Sequence, residues 1–183
     1  RLNVQKGQHL LLDLGKRLLD AGVDFRLVIA GEGEREGELK FMTRELGLED
    51  KVLFTGFMPD LSCFWQAIDI FVLTSLWEGF GYVLLEAMLA KKPILAFRVS
   101  NIPELITDDM NGYLFPLPAG EQLLEADLEP DAGAVVSPEG PSVAGTPDSG
   151  KDLPKDAGMT AMAETVQALA ADAGLRQRLG SAG

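Results

Sequence analysis

Between residues 7 and 116, short and almost wholly apolar runs alternate with segments whose apolar residues recur at helical spacing. Few folds accommodate that alternation. The run His9-Leu10-Leu11-Leu12, with Leu14, Leu18 and Leu19, predicts an amphipathic helix that ends near Gly22. Phe25 to Ala30 reads as a strand stopped by Gly31. Glu36 to Leu46 has helical spacing, with Leu39, Met42 and Leu46 on one side. Val52 to Thr55 is a strand closed by Gly56, and Leu61 to Ala67 a short helix after Pro59-Asp60. Ile68 to Leu73 is a strand almost free of polar residues, and Tyr82 to Ala90 a helix apolar nearly all round. Ile94 to Phe97, a helical turn from Ile102 to Ile106, and Tyr113 to Phe115 complete the series. Strands alternating with helices predict an α/β fold, a Rossmann-like doubly wound parallel sheet with helices on both faces. Uniformly apolar strands agree, because parallel strands are buried on both sides.

Ligands of such sheets bind outside the C-terminal ends of the strands. That edge collects Gly31 to Gly33, Gly56 to Pro59, Ser75 to Gly81, and Arg98 to Glu104. The most informative of these segments is Ser75-Leu-Trp-Glu-Gly-Phe-Gly-Tyr-Val-Leu-Leu-Glu86, in which two glutamates are separated by seven residues. Glu78 lies in a glycine-rich turn that opens a helix. The glycines allow a tight turn and close approach of a ligand, and the free amides of the first helical turn form an anion site suited to phosphate. Glu86 lies two helical turns further, ~12 Å along the axis. It is embedded in an apolar stretch, where burying a carboxylate is costly unless a partner hydrogen-bonds it. A polyhydroxyl ligand is one such partner. From spacing alone, capping or pairing with a buried polar group is an equal alternative.

Lys6-Gly7 precedes the first helix and can clamp a phosphate, although an isolated lysine is more often a solvated charge. The net charge of −12 argues against nonspecific nucleic-acid binding, so an anionic ligand needs local positive charge. Gly31-Glu-Gly33-Glu-Arg-Glu-Gly37 invites a dinucleotide reading, but its third glycine comes one residue late and three glutamates crowd the pyrophosphate position. His9, the single histidine, reads as structural. Cys63, the single cysteine, reads as a small core residue and excludes an intrachain disulfide. Trp65 and Trp77 read as packing residues, Trp77 beside the pocket. No Asp-x-Asp and no Cys/His spacing suggests a metal. No apolar run reaches the ~18 residues of a membrane span, and no signal peptide is visible.

Residues 117–158 have a different composition: six prolines, six glycines, no aromatic residue, and nine acids against two lysines. Such a segment buries too little apolar surface to offset its ordering entropy, and is read as a flexible acidic insertion. Helical spacing resumes over Thr160 to Ala171 and Leu175 to Leu179, which are expected to pack on the core. The organisation is therefore a domain over 1–116, an insertion over 117–158 and C-terminal helices over 159–183.

Taken together, these motifs resemble the C-terminal, donor-binding domain of retaining glycosyltransferases of the GT-B fold, in particular family 4 (group 1 type). Arg1-Leu2 with Lys6-Gly7 is similar to the family's G-R-L-x-x-x-K-G opening, with the glycine and its strand cut off. Ala30-Gly-Glu-Gly33 resembles the I-x-G-x-G turn, and Val52 to Gly56 the V-x-F-x-G strand. Ser75 through Glu86-Ala87 resembles the E-x7-E signature. Lys92-Pro93 to Ala96, Ile102-Pro-Glu104 and Asn111-Gly112 follow in the family's order, and Leu175 to Gly180 resembles its closing helix.

The resemblance implies a hexosyl-type transferase acting with retention of configuration, by same-face attack, on an unspecified acceptor. Its donor would be a nucleotide sugar such as a UDP-, GDP- or ADP-sugar, with no cofactor and no metal. Glu78, Arg1 and Lys6 would carry the chemistry, the two cations neutralising the donor diphosphate. Ser75, Gly79, Phe80, Gly81, Glu86, Gly31, Gly33, Gly56, Phe57 and Met58 would form the donor site. Glu78 would hold sugar hydroxyls, Glu86 the ribose, and Gly56 to Met58 would border the base. The partner would be the acceptor-binding N-terminal domain of the same parent chain, which makes this chain a fragment expected at most to bind donor. A cytoplasmic location is implied, with any membrane attachment through the other domain.

One departure is Ser100-Asn101, where the family has Gly-Gly before Ile-Pro-Glu. It puts close backbone approach at that turn in doubt. Three other readings stand beside the transferase. One is a nucleotide-sugar epimerase or glycogen-phosphorylase-like enzyme of the same architecture, and another a non-catalytic nucleotide-sugar-binding module. The third, a dehydrogenase-type dinucleotide domain, is disfavoured by the glycine spacing.

Overall fold

The structure is a computed structural model that describes residues 1–121 and 156–183. After a single 3-10 turn, Val4–Lys6, the first part of the chain alternates helix and strand: α1 (Gln8–Asp20), β1 (Leu27–Ala30), α2 (Glu36–Glu45), β2 (Val52–Gly56), α3 (Ser62–Ala67) and β3 (Phe71–Leu73). It continues with α4 (Tyr82–Leu89), β4 (Ile94–Phe97), α5 (Ile102–Leu105), β5 (Gly112–Phe115), α6 (Ala157–Ala171) and α7 (Ala173–Ser181). All strand pairings are parallel. The expected α/β architecture is present, with one correction: the strands form two sheets, β1-β2 and β3-β4-β5, not one. The run Ile68 to Leu73 becomes a strand only from Phe71, and Phe25-Arg26 likewise precede β1.

Strand β4 shows why its sequence has no polar residue. Its four residues are all buried. Leu95 and Phe97 join the cluster under α1 and α6, while Ile94 and Ala96 join the one under α4 and α5. Side chains alternate across a strand, so a strand covered on both faces must be apolar at every position. Leu10, Leu14 and Leu18 of α1 meet Met159, Met162, Val166 and Leu169 of α6 in the first cluster. A third cluster gathers Leu2, Leu12, Ile29, Leu39 and Leu48. The C-terminal helices thus belong to the main core. The acidic segment expected over 117–158 falls largely outside the described residues, which resume ahead of α6 at Asp156.

Two readings of burial are overturned. Helix α4 is not enclosed: only Leu84 and Ala87 are buried, while Tyr82, Glu86 and Leu89 are exposed on one face. Cys63 is exposed, because α3 contacts the sheet through Phe64 and Trp65 and turns Cys63 outward.

Met162 is fully buried between α1 and the sheet. Met162→Ala is expected to lower unfolding free energy by about 2–5 kcal/mol, read from urea denaturation. A change under ~0.5 kcal/mol would mean that α6 does not dock on α1.

Candidate functional site

Four contacts fasten the first seven residues to the exit of β3. The Leu76 amide donates to the Gln5 carbonyl at 2.8 Å. Gln5 Nε2 donates to the Trp77 carbonyl at 3.0 Å, and Thr74 Oγ1 donates to the Lys6 carbonyl at 3.2 Å. Gly7, with φ 59°, lies so close to the Thr74 carbonyl that a Cβ there would sit 2.2 Å from its oxygen. Any other residue would push the two segments apart. This close approach brings Lys6 onto Glu78.

Glu78 is buried at 6% exposure. Its Oε1 accepts from Lys6 Nζ at 2.7 Å and from Ser75 Oγ at 2.6 Å, with Ser75 wholly buried. A carboxylate so placed is stable only with such partners. Oε2 takes part in no hydrogen bond among the described residues. Beyond Glu78, Gly79 and Phe80 are exposed, and Gly81, with φ 73°, caps α4 without a side-chain bond. The first amides of α4 are therefore open, as an anion site requires.

Ser100 and Asn101 hold this loop from the far side. The Glu78 amide donates to Ser100 Oγ and Asn101 Nδ2 donates to the Phe80 carbonyl, each at 3.2 Å. Ser100 has φ 49°, a left-handed conformation that costs a non-glycine residue about 1–2 kcal/mol. The backbone shape that glycine would supply is thus kept by a serine whose hydroxyl grips the loop. The doubt that Ser100-Asn101 raised about this turn is resolved by that geometry. Their role in holding the loop has no local signal in sequence.

The remaining predicted residues lie along the same edge. The Gly31 amide donates to the Gly56 carbonyl at 2.9 Å, so the turns after β1 and β2 are adjacent, with Phe57 exposed and Met58 half-buried beside them. Gly33 is explained by packing: a Cβ there would meet the Leu2 carbonyl oxygen at 2.3 Å. The Arg1 side chain is exposed and forms no ion pair among the described residues. Its amino group is held below the usual range, chiefly by burial and next by the Lys6 charge, with Glu78 and Glu34 pulling the other way.

Glu86 departs from expectation. It is exposed on α4 and needs no buried partner, because the leucines that surround it in sequence fall on other faces of the helix. The cavity expected between Lys6, Glu78 and Glu86 also differs from the one found. A cavity of about 580 Å³ lies instead beside residues 23–28 and 67–72. His9 Nε2 lies 3.0 Å from Glu121 Oε2, a structural contact. Among the described residues there is no cluster of three or more His, Cys, Asp or Glu placed to hold a metal, and no helix long and apolar enough to cross a membrane.

Comparison with known proteins identifies this architecture. The fold is the Rossmann-like half of a GT-B glycosyltransferase: a crystallised C-terminal domain of a glycosyl transferase group 1 family protein, LpcC from Francisella tularensis, superposes with a TM-score of 0.68 at 25% identity, covering 100% of this chain and 77% of that one. The Anabaena protein HepE, crystallised with UDP-glucose, has the same fold, with a TM-score of 0.68 at 24% identity over 100% of this chain and 40% of its own. In sequence, the lipopolysaccharide core biosynthesis mannosyltransferase LpsB of Rhizobium meliloti is 36% identical over 112 residues, 58% of this chain and 32% of that protein. Residues 1–127 match the family of glycosyl transferases group 1, and the chain belongs to it. It spans about a third of the length of the curated relatives it matches.

Lys6→Met and Glu78→Gln are each expected to destabilise, Lys6→Met by about 1–3 kcal/mol because it leaves a buried carboxylate underbonded. The double variant should recover at least ~1 kcal/mol of the summed loss in a double-mutant cycle. Strict additivity would show that the pair is not formed in solution. Ser100→Gly removes both a hydrogen bond and backbone strain, so stability should stay within about 1 kcal/mol. Amide exchange at Glu78 should accelerate, and an unchanged rate would show that Ser100 does not hold the loop.

Proposed function

We propose that this domain binds a nucleoside-diphosphate sugar and serves as the donor half of a retaining hexosyltransferase. The observation that carries the reading is the Lys6–Glu78 pair at the glycine-lined mouth of α4. Lys6 and the open first-turn amides offer positive potential where a diphosphate would sit, in a chain whose net charge is otherwise −12. The same groups stabilise the charge that grows on the diphosphate as it leaves, without a metal ion. The family membership and the presence of UDP-glucose in HepE support a nucleotide sugar as ligand.

Within this reading each acid has its own task. Glu78 keeps Oε1 on Lys6 and Ser75 and turns Oε2 to a sugar hydroxyl, and its fixed rotamer orients the sugar without further ordering cost. Glu86, solvated and two turns along α4, accepts from ribose hydroxyls. The turns at Gly31 to Gly33 and at Gly56 to Met58 flank the nucleoside, with Phe57 offering an exposed aromatic face. Arg1 adds a second cation beside the phosphates. The acceptor is presented by a second domain across a cleft, so this chain binds donor and transfers nothing by itself.

Isothermal titration of the chain with UDP, GDP and ADP and with their glucose or mannose conjugates tests this. One nucleoside should bind, and its sugar conjugate more tightly. Lys6→Met should weaken nucleoside-diphosphate binding at least tenfold, about 1.4 kcal/mol. Glu78→Gln should leave the free diphosphate within about threefold and erase the gain from the sugar. No binding of any donor, or equal loss of both ligands on Glu78→Gln, would overturn the assignment.

A further inference from the structure

The inner edges of β1 and β3 are unpaired. β1 pairs only with β2, and β3 only with β4, although all strands run parallel. Between them lies the cavity of about 580 Å³, with Phe25 to Val28 on one wall and Ile68 to Val72 on the other. Leu11, Leu14 and Leu18 of α1, with Val166 of α6, close one face, and Phe64 and Ala67 of α3 line the other. Two rows of backbone N–H and C=O groups thus face an apolar chamber. Backbone polar groups enclosed this way are costly unless a partner accepts their hydrogen bonds. The group that satisfies two parallel edges at once is a further parallel strand.

We infer that this chamber is the seat of a sixth parallel strand, an extended apolar segment that runs between β1 and β3 and enters Arg1 from its N-terminal side. The position of the first residues carries the choice of occupant. The Leu2 amide donates to the Glu32 carbonyl, just beyond β1, at 2.9 Å, and the Leu76 amide donates to the Gln5 carbonyl, just beyond β3, at 2.8 Å. Arg1 lies against Gly31. Residues 1–5 therefore bridge the C-terminal ends of the two strands, where a parallel strand between them would emerge. From there α1 crosses over the chamber and the chain returns in β1, which is the right-handed crossover that parallel strands adopt. At ~3.3 Å per residue, matching the three and four residues of its neighbours takes a segment of about four or five. A second copy of the chain does not fit, because helices on both faces leave room for one strand and no accompanying sheet. The inference is independent of donor binding.

Two measurements test it. In the chain as given, amides on the inner edges within Leu27–Ala30 and Phe71–Leu73 should exchange with deuterium at least a hundredfold faster than Leu95 and Phe97 of β4. Equal protection would mean that the edges are already paired and the chamber is closed. Next, Val-Ile-Val-Val-Gly is joined ahead of Arg1 and compared with Gly-Ser-Gly-Ser-Gly. The apolar extension should raise Tm by about 5 °C or more over the polar one and slow exchange at both inner edges at least tenfold, in a protein that light scattering finds monomeric. Equal Tm and exchange for the two extensions would overturn the proposal. So would a dimer that protects the same edges without any extension.

Discussion

The structure depends on the contact between Gly7 and the Thr74 carbonyl. Residues 4–7 lie 68 or more positions from the segment they grip, and no helix or strand forces the two together. What holds them is a set of backbone-directed hydrogen bonds from Gln5, Lys6, Thr74 and Leu76 and a glycine that lets the chains approach beyond the limit for a Cβ. Without that approach Lys6 would be one of several surface lysines, and Glu78 would be a carboxylate buried with only a serine for company. Closing so long a loop costs entropy that grows only slowly with its length, so a few good contacts suffice once the core has formed.

That contact also explains how an acidic chain can present positive potential. The net charge of −12 sets a repulsive field for any phosphate. Only short-range geometry overcomes it: a lysine half-buried beside the helix mouth and amides left uncapped by Gly81. Lys6 is already paired with Glu78, so the pair is locally neutral and the helix dipole supplies the residual attraction. Glu78 therefore acts as more than an acceptor. It fixes the lysine in one rotamer, and Ser75 fixes Glu78 in turn.

Periodicity carried the secondary structure well, because it reports burial on a face. Ile94 to Phe97 appears as a strand with the expected ends, since all four residues are needed on two faces. The same logic misled at Tyr82 to Ala90. Leucines at Leu84, Leu85 and Leu89 look uniform in a string, yet Leu89 is 85% exposed while Leu84 is fully buried. A run that is apolar on every side does not say which side meets the core, and Glu86 went with the wrong face. Cys63 failed for a related reason: α3 is six residues long, too short for a periodic signal. The expectation of one continuous sheet failed because pairing is a relation between strands, and no single strand's sequence records whether its neighbour is present. Of the site, glycine positions and the two acids were legible as a motif. The grip of Ser100 and Asn101 was not, because a left-handed serine looks like any other in sequence.

The site is composite in a way that orders its assembly. Its parts come from residues 1–7, 74–81 and 100–101, and each segment follows directly from an element of the core. Ser75 and Glu78 cannot be placed until β3 has paired with β4, and Ser100 cannot reach the Glu78 amide until β4 has turned into α5. The Lys6 side is anchored differently, through Leu2 in the cluster formed by β1 and α2. The ion pair thus joins the part of the molecule built on β1-β2 to the part built on β3-β4-β5. Any change in the spacing between those two sheets would be felt first as a change in the 2.7 Å contact between Lys6 and Glu78. The geometry of the candidate site and the closure of the sheet are therefore one physical problem, since both are set by how far apart β1 and β3 stand.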